Sequence, residues 1–278
     1  MLSKIRTALI QFKVGVNKSA NLLKASQFIE LAKNKGGELI ALPEYFSTPI
    51  YTFYNHAENI PDGPSSRILA ENAKYHKIYL VGGTIPEEED GNIYNTCTVW
   101  NPEGELIAKY RKIHMCDIEI PGGIKLKESE IVSPGDKMAT FHVKDIKVGL
   151  GICYDLRFEE MAKLYRLSGC KLLIYPAAFN MTTGALHWEL MQRSRANDNQ
   201  LYVFTISPAR GTEGYCCWGH SQVTDPLGNI VVSAGHGEEI LLANIDGKMC
   251  DEVRQKMPIC LHRRPNIYDT VKICDSDI

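Results

Sequence analysis

Motifs that would identify a nucleotide or metal enzyme are missing from this sequence of 278 residues. No G-x-G-x-x-G follows the first predicted strand and no Walker A motif occurs, so a dinucleotide or nucleotide-triphosphate site loses support. The eight histidines form no H-E-x-x-H pair, no cysteines form a C-x-x-C pair, and there is no G-x-S-x-G. Cys216, Cys217 and His220 alone are too few ligands for a zinc site. Metal-dependent hydrolysis therefore also loses support.

The sequence also lacks an excess of one charge. Lys and Arg number 31 against 33 Asp and Glu, which gives a formal net charge of -2. Nucleic acid is therefore not expected as a partner, because phosphate binding requires a clear basic excess. With 44% hydrophobic and 23% charged residues, the composition is that of an ordinary globular protein and not of a disordered chain.

Long apolar runs are absent as well. The longest, such as KLLIYPAAF, fall far short of the roughly 20 residues that cross a bilayer, so no membrane span is expected. The start, MLSKIRTALIQF, has no long apolar segment before a cleavage site. The nine cysteines are an odd number without regular spacing. Free thiols in a reducing compartment are the simplest interpretation, and we expect a cytoplasmic protein.

Strand-like and helix-like runs alternate along the chain. Residues 6–12 form a predicted strand with Ala8, Ile10 and Phe12 on one face, and residues 18–34 form a predicted helix. Further strands are predicted at 38–44, 77–83, 147–153, 171–179 and 201–207, and further helices at 64–76, 157–168, 185–198 and 248–256.

This alternation implies β-sheets whose outer faces are covered by helices. The polar stretch 113–140, punctuated by Gly and Pro, is predicted to be a long functional loop. Neither a repeat nor a linker occurs. We therefore expect one α/β domain over residues 1–257, followed by a C-terminal tail over 258–278.

The strongest local signal is KVGLGICYDLRFEEM, residues 147–161. A buried strand is predicted to end at Cys153, and a helix is predicted to begin within a few residues, with Asp155 as its N-cap. The thiol would then lie near helix N–H groups, which favour the thiolate. Gly149 and Gly151 permit close backbone packing at such a turn. The segment suits a nucleophile, although a buried structural cysteine fits it as well.

Two charged residues stand where a nucleophile needs partners. Glu44 follows ALP at the end of a predicted strand, where α/β proteins gather their sites. Lys112, in KYRKIH, enters the long loop. A nucleophile requires a base and a donor for the oxyanion. Taken singly, a solvent-facing carboxylate and a surface lysine explain these two residues equally well.

Three segments in order, LPEYF around Glu44, YRKIHM around Lys112 and GLGICYDLRF around Cys153, resemble the Glu-Lys-Cys triad of the nitrilase (carbon–nitrogen hydrolase) superfamily. The resemblance also includes YPAAFN and WELMQRSRANDNQLYV. It implies a four-layer α-β-β-α sandwich, no metal or organic cofactor, and dimers or larger assemblies, of which we expect a homodimer here. Within the superfamily, KESEIVSPGD, AAFNMTTGALHWELMQRSRANDNQ and SPARG are most similar to omega-amidases.

The resemblance implies a role for each catalytic side chain. Cys153 would attack the substrate amide and form a thioester, with Glu44 as base and then acid. Lys112 and the backbone N–H of Tyr154 would stabilise the oxyanion. Glu128, in LKESE, resembles an additional active-site glutamate that places Lys112. An exposed charged loop is the alternative interpretation for Glu128.

The resemblance also implies a substrate class, the small dicarboxylate monoamides α-ketoglutaramate and α-ketosuccinamate. The pocket must then bind a carboxylate far from the amide. Arg157, four residues after Cys153, is suited to clamp it in a bidentate manner. A salt bridge to Asp155 or Glu160 is the alternative for this arginine. The other expected pocket residues are Phe179, Thr183 and Tyr45.

Alternatives to the omega-amidase reading come from two classes of protein. A deaminated-glutathione amidase or an N-carbamoyl amidohydrolase would keep the triad with a different pocket. The loop 116–140 and residues 179–187 would discriminate these enzymes. A non-catalytic scaffold relative would have no reason to keep Glu44, Lys112 and Cys153 together.

Overall fold

The computed structural model describes residues 4–119, 125–211 and 215–273, which form an α/β fold with two large sheets. The first sheet has seven strands. In sheet order they are β15 (Glu239–Asp246), β1 (Lys4–Gln11), β2 (Leu39–Ala41), β3 (Tyr79–Val81), β5 (Asn92–Trp100) and β4 (Ile85–Glu89), and β6 (Leu106–Arg111) also pairs with β5.

The second sheet has six strands. In order they are β14 (Ile230–Ser233), β13 (Gln222–Thr224), β12 (Tyr202–Ile206), β11 (Leu172–Pro176), β10 (Ile146–Leu150) and β9 (Thr140–Val143). β10, β11 and β12 are parallel, as are β1, β2 and β3 in the first sheet. Each sheet therefore gathers the carboxyl ends of several strands at one edge.

Six α-helices and three 3₁₀ segments lie in the described ranges. The helices are α1 (Lys18–Asn34), α2 (Pro64–His76), α3 (Glu159–Leu167), α4 (Met181–Asn199), α5 (Gly247–Lys256) and α6 (Ile259–His262). The 3₁₀ segments are Ile50–His56, Glu128–Glu130 and Cys153–Arg157. None of these helices is long and apolar enough to cross a membrane.

The alternation of side chains along β1 separates two layers of core. Ile5 and Leu9 pack in the cluster that contains the second-sheet residue Val148. Ala8, Ile10 and Phe12 face the other way, as predicted, and pack in a cluster with residues of α1 and α2. The first sheet is thus covered by these two helices outside and by the second sheet inside.

Helices α3 and α4 complete the layers on the second sheet. Ala162 of α3 and Trp188 and Ala196 of α4 are buried in the core cluster that contains the β11 strand. The α-β-β-α order of layers follows, and the expected four-layer sandwich is confirmed. The boundary between a domain at 1–257 and a tail at 258–278 stays a prediction. Lys163 Nζ and Asp269 Oδ1 lie 3.4 Å apart and connect the described part of this tail to α3.

The structure differs from the sequence predictions around two helices. The helix expected at 185–198 begins at Met181 because the Asn180 carboxamide oxygen accepts hydrogen bonds from the N–H groups of Thr182 and Thr183. Asp155 is not an N-cap of the helix that follows Cys153. α3 begins at Glu159 after Phe158, which makes no side-chain cap.

The predicted loop 113–140 also contains regular structure. A short antiparallel hairpin joins β7 (Asp117–Glu119) to β8 (Lys125–Lys127), and the 3₁₀ segment Glu128–Glu130 follows at once. This hairpin brings residues from the middle of the loop to the edge where the parallel strands end. The loop therefore forms one wall of the cavity described next.

Candidate active site

A cavity lies where the parallel strands of both sheets end. Glu44 follows β2, Cys153 follows β10 and Phe179 follows β11, so three separate strand ends meet there. All nine site residues that the sequence indicated line this cavity. They are Glu44, Tyr45, Lys112, Glu128, Cys153, Tyr154, Arg157, Phe179 and Thr183.

Cys153 opens a 3₁₀ turn immediately beyond β10, and its φ is 47°. Few residues other than glycine adopt this left-handed backbone conformation, and at functional sites such strain orients a side chain. Gly151 allows the close approach behind it, since a Cβ there would lie 2.3 Å from a Tyr175 ring carbon. The turn aims the thiol into the cavity, as the nucleophile interpretation requires.

Burial controls the ionisation of this thiol. Burial removes the thiol from water and raises the pKa of Cys153 well above its usual value, and the nearby Glu44 carboxylate raises it further. Lys112 and the backbone N–H of Ala178 lower the pKa but do not compensate. The expectation that helix N–H groups would favour a thiolate at rest is therefore wrong. The resting form is the neutral thiol, and it needs a base.

Asp155 supports the turn instead of capping a helix. It is fully buried, and its carboxylate accepts hydrogen bonds from the Ile152 N–H at 2.8 Å and the Tyr110 hydroxyl at 2.7 Å. The N–H of His114 donates to it at 3.0 Å. These bonds connect the nucleophile turn to the segment that carries Lys112, because Tyr110 and His114 flank that lysine in sequence.

Glu44 is completely buried beside the thiol. One carboxylate oxygen, Oε1, accepts a hydrogen bond from Asn95 Nδ2 at 2.9 Å, whereas Oε2 has no hydrogen-bond partner within the described ranges. Burial raises the pKa of Glu44 to about 7, against the opposing effect of Lys112. Interaction with the Cys153 thiol also lowers it, although no hydrogen bond of standard geometry joins the two. A carboxyl group with a pKa near 7 suits both a base and an acid.

Lys112 and Glu128 form a buried ion pair. Lys112 Nζ lies 2.8 and 2.6 Å from the two carboxylate oxygens of Glu128, and the side chains are 2% and 5% exposed. Burial alone would lower the pKa of the lysine, but Glu128, Cys153 and Glu44 together raise it, so the ammonium is retained. The Cys116 N–H also donates to Glu128 at 2.7 Å. Glu128 is therefore not part of an exposed charged loop.

Arg157 lies at the other side of the cavity without a carboxylate partner in the described part of the chain. Its guanidinium lies 5.3 Å from the centre of the Tyr154 ring and 5.2 Å from that of Phe179. Its Nε atom is buried and has no hydrogen-bond partner among the described residues. The alternative of a salt bridge to Asp155 or Glu160 is not found there.

The remaining expected residues form the walls of the cavity. Tyr45 is 7% exposed and its hydroxyl accepts a hydrogen bond from Asn95 Nδ2 at 3.3 Å. Phe179 packs edge-on against Trp188, with ring centres 5.2 Å apart. Thr183 is 9% exposed and lies in the first turn of α4. Each is therefore held by the fold before any substrate binds.

Several residues of the site were not indicated by the sequence analysis, among them Asn95, Cys116 and Tyr215. Asn95 contacts Glu44, and a buried asparagine within a strand is unusual enough to have been a signal. Cys116 and Tyr215 line the cavity. The Tyr215 hydroxyl donates to the carbonyl oxygen of Ala178 at 3.1 Å. Nothing in their sequence surroundings distinguishes these two from ordinary loop residues.

The arrangement is equipped for attack on an amide carbon. A neutral thiol, a carboxyl group with a pKa near 7 and the Lys112 ammonium share one cavity, and a second cation, Arg157, also lines it. No group of three or more side chains that could hold a metal ion occurs in residues 4–119, 125–211 and 215–273. The geometry is that of a nucleophilic hydrolase.

Comparison with known proteins agrees with this chemistry. The sequence pattern of the carbon–nitrogen hydrolase family matches residues 6–255. The chain therefore belongs to the carbon–nitrogen hydrolases, and the resemblance to the nitrilase superfamily is confirmed. The match includes every residue of the candidate site.

Comparison with individual proteins narrows the similarity to one group within this family. The chain is 50% identical over 270 residues to the omega-amidase NIT2-B of Xenopus laevis, covering 96% of this chain and 98% of that protein. It is 49% identical over 270 residues to the human omega-amidase NIT2, with the same coverage. Among solved structures, Saccharomyces cerevisiae Nit3, a member of branch 10 of the nitrilase superfamily, superimposes with a TM-score of 0.85 at 42% identity, over 93% of this chain and 96% of that chain.

Proposed function

We propose that the chain is an omega-amidase that hydrolyses the terminal amide of α-keto dicarboxylate monoamides to the α-keto acid and ammonia. The proposed substrates are α-ketoglutaramate and α-ketosuccinamate. One observation carries the proposal. The cavity that holds Cys153, Glu44 and Lys112 also holds Arg157, a guanidinium with no carboxylate partner among the described residues. The similarity to omega-amidases over 96% of the chain supports it.

The first half of the reaction forms a thioester. Glu44 takes the proton of the Cys153 thiol, and the sulfur attacks the carbonyl carbon of the amide. The Lys112 ammonium and the backbone N–H of Tyr154 stabilise the oxyanion that develops. Protonated Glu44 then gives its proton to the departing nitrogen, so ammonia leaves and the acyl group stays on sulfur.

The second half releases the acid. Water replaces ammonia in the cavity, and Glu44, again a carboxylate, removes its proton as the oxygen attacks the thioester carbon. The same oxyanion donors act a second time. Collapse of the intermediate returns the proton to the thiolate of Cys153 and frees the carboxylic acid. Glu128 acts only through Lys112, which it holds in place and keeps charged.

Arg157 selects the substrate. A guanidinium presents two parallel N–H donors that match a carboxylate, and a partly desolvated cation without a counter-ion gains most from binding one. Thr183 supplies a hydroxyl, and Phe179 and Tyr45 supply apolar walls on which the short carbon chain packs. An amide that carries a second carboxylate thus satisfies both ends of the cavity.

Ammonia release from an amide panel tests the function. The panel contains α-ketoglutaramate, succinamate, deaminated glutathione, an N-carbamoyl-β-amino acid and a simple nitrile, each with the wild-type protein and with Cys153→Ala. We expect rapid turnover of the first two and none by Cys153→Ala, whose melting temperature should match the wild type. Residual turnover of that variant would exclude the thioester mechanism.

The other outcomes decide between the alternatives. Turnover of deaminated glutathione or the N-carbamoyl compound in place of α-ketoglutaramate would keep the triad and indicate a pocket that differs from that of an omega-amidase. No turnover of any compound by folded protein would favour a non-catalytic scaffold. A catalytic role is preferred to a scaffold because Glu44, Lys112 and Cys153 are all present and buried together.

We further propose that the protein forms a homodimer, as the superfamily resemblance implies. Leu186 and Leu190 on the outer face of α4 are 64% and 65% exposed and offer an apolar surface for contact between subunits. Sedimentation velocity at micromolar protein should give the mass of a dimer. A monomer with full amidase activity would contradict this proposal.

We also propose a cytoplasmic location. The eight cysteines in the described residues are all free thiols, as suits a reducing compartment. Cell fractionation with antibodies to the native protein should place it with cytosolic markers, and recovery in a membrane or organelle fraction would contradict the proposal.

A further inference from the structure

One face of helix α4 is directed at the nucleophile turn. Thr183, His187, Met191 and Arg195 are spaced four residues apart and therefore form a single stripe along the helix. All four reach the cavity or the turn Cys153–Arg157.

This stripe contacts both the backbone carbonyl and the guanidinium of Arg157. Arg195 donates to its backbone carbonyl at 2.7 Å and to that of Leu156 at 3.1 Å. Nearer the cavity, His187 Nδ1 lies 3.3 Å from the Nη1 atom of Arg157, and Met191 Sδ lies 3.7 Å from the same nitrogen. The backbone and the guanidinium of Arg157 are thus both held by α4.

The chemistry of the contact fixes the role of the imidazole. A guanidinium carries only donors, so His187 Nδ1 must accept the hydrogen bond, which requires an imidazole unprotonated at that atom. His187 contributes no charge in this state and does not compete with a substrate carboxylate. It is the one conventional hydrogen-bond acceptor for the guanidinium in the described residues.

We propose that His187 is a positioning residue that sets the preference for amides with a second carboxylate by holding the Arg157 guanidinium toward the cavity. The inference rests on the proposed omega-amidase function. Without the acceptor, the guanidinium would be steadied only by the Tyr154 and Phe179 rings and the Met191 sulfur. The entropic cost of ordering the guanidinium would then weaken the binding of each substrate molecule.

The effect should appear in binding and not in chemistry, because Arg157 contacts the far end of the substrate. Loss of an interaction equal in the ground and transition states raises KM and leaves kcat unchanged. A hydrogen bond to a charged group contributes enough to binding that its loss should raise KM by about tenfold. A neutral amide of the same length does not use the clamp and should show no change.

The experiment compares succinamate with butyramide for His187→Ala, His187→Phe and His187→Asn. Phenylalanine keeps a ring without the acceptor, whereas the Oδ1 atom of asparagine takes the place of Nδ1. We expect His187→Ala and His187→Phe to raise KM for succinamate by about tenfold at unchanged kcat. His187→Asn should restore most of the affinity, and no variant should alter KM for butyramide.

Two further variants separate the possible failures. Glu189→Gln, on the exposed side of the same helix, controls for disturbance of α4 and should behave as wild type. Arg157→Ala tests the clamp. If it raises KM for succinamate while both His187→Ala and His187→Phe do not, the positioning role is overturned and the clamp remains. If Arg157→Ala leaves the succinamate preference intact, the clamp itself is rejected, and the role of His187 with it.

Discussion

At the scale of single residues, the environment of Cys153 decides which partner it requires. Its thiol is buried, and burial together with Glu44 keeps its pKa well above the usual value. A thiol that stays protonated at neutral pH cannot attack unaided, whatever the geometry of its turn. Glu44, with a pKa near 7, is the group that can remove the proton and later return one.

Asn95 modulates the pKa of Glu44 through one hydrogen bond, beside the larger effects of burial and Lys112. Its Nδ2 atom donates to Glu44 Oε1, which favours the carboxylate form and lowers the pKa of Glu44. Asn95→Ala should therefore raise that pKa by roughly one unit. Because the carboxylate is the active form, the acid limb of kcat/KM should move to higher pH by the same amount, as pH–rate profiles with succinamate would show.

Asn92→Ala is the matched control for this prediction. Asn92 lies on the same strand but is exposed, and its side chain forms hydrogen bonds with Asp90 and Ser133. Its pH–rate profile should coincide with that of the wild type. A lower plateau for Asn95→Ala with an unmoved acid limb would mean that Asn95 does not act on the ionisation of Glu44.

Glu128 provides a second prediction at this scale. Glu128→Gln leaves the ammonium of Lys112 buried beside a neutral amide, and breaking a buried ion pair by removing one partner typically costs about 3 kcal/mol. Urea unfolding should report that loss, and kcat should fall because the oxyanion donor is no longer held. Glu130→Gln, in an exposed pair with Lys127, should change the free energy of unfolding by less than about 0.5 kcal/mol. Equal effects of the two variants would contradict the burial argument.

At the scale of elements, α4 connects stability to substrate binding. Its cap, Asn180, accepts hydrogen bonds from the N–H groups of Thr182 and Thr183, so the cap also orients the first turn that lines the cavity. The cap of α1, Asn17, makes the same kind of bond to the Ala20 N–H, and Asn17 does not line the cavity.

These two caps make a matched pair of variants. Asn180→Ala and Asn17→Ala should each lower the free energy of unfolding by about 1 kcal/mol, since each leaves helix N–H groups unpaired. Only Asn180→Ala should also raise KM for succinamate, because Thr183 loses its fixed position. Urea unfolding and initial-rate kinetics measure the two effects. A KM effect in both variants would indicate a general loss of rigidity in place of a local one.

At the scale of the whole molecule, two buried carboxylates give stability opposite dependences on pH. Glu87 connects three strands, accepting hydrogen bonds from Thr96 on β5 and from Lys109 and Arg111 on β6. Burial alone would raise the pKa of Glu87, but these bonds lower it to about 2. Glu44 has the reverse balance, with a pKa raised to about 7.

The signs of the two contributions follow from proton binding. Between pH 2 and 4.5 the unfolded chain holds the Glu87 proton and the folded protein does not, so stability is lost as the pH falls through this window. Between pH 4.5 and 7 the folded protein retains the Glu44 proton, so stability decreases as the pH rises.

Urea unfolding from pH 3 to pH 8 checks this prediction. Glu87→Gln should lose most of the decline below pH 4.5, which at roughly 1.4 kcal/mol per pKa unit amounts to about 2 kcal/mol by pH 3. Glu44→Gln should be inactive and should lose the decline between pH 4.5 and 7. Profiles for both variants that parallel the wild type would contradict the assignment.

Much of the fold could be predicted from the sequence. The helices predicted at 18–34 and 64–76 are observed with those bounds, because their apolar positions repeat with helical spacing and their ends carry clear signals. The alternation at Ala8, Ile10 and Phe12 correctly identified one face of β1. The start of α4 was missed because the pattern of apolar residues begins later than its cap at Asn180.

The residues of the site were also named in advance, because the segments around Glu44, Lys112 and Cys153 carry their own signatures in a fixed order. Their roles were predicted from the family resemblance, but the ionisation and the contacts of each side chain were not. The protonated state of Cys153, the geometry of the Lys112–Glu128 ion pair and the absence of a carboxylate partner for Arg157 in the described residues depend on burial and on distances between segments far apart in the chain.

Local sequence thus determined which elements form and which chemical groups are available, because periodicity, capping and turn preferences act over a few residues. Only the tertiary structure decided the ionisation of those groups and the partners that hold them. Asn95 reaches Glu44 across 51 positions, and His187 reaches Arg157 across 30. Desolvation and hydrogen bonding at such separations exist only once the two sheets and their helices are packed together.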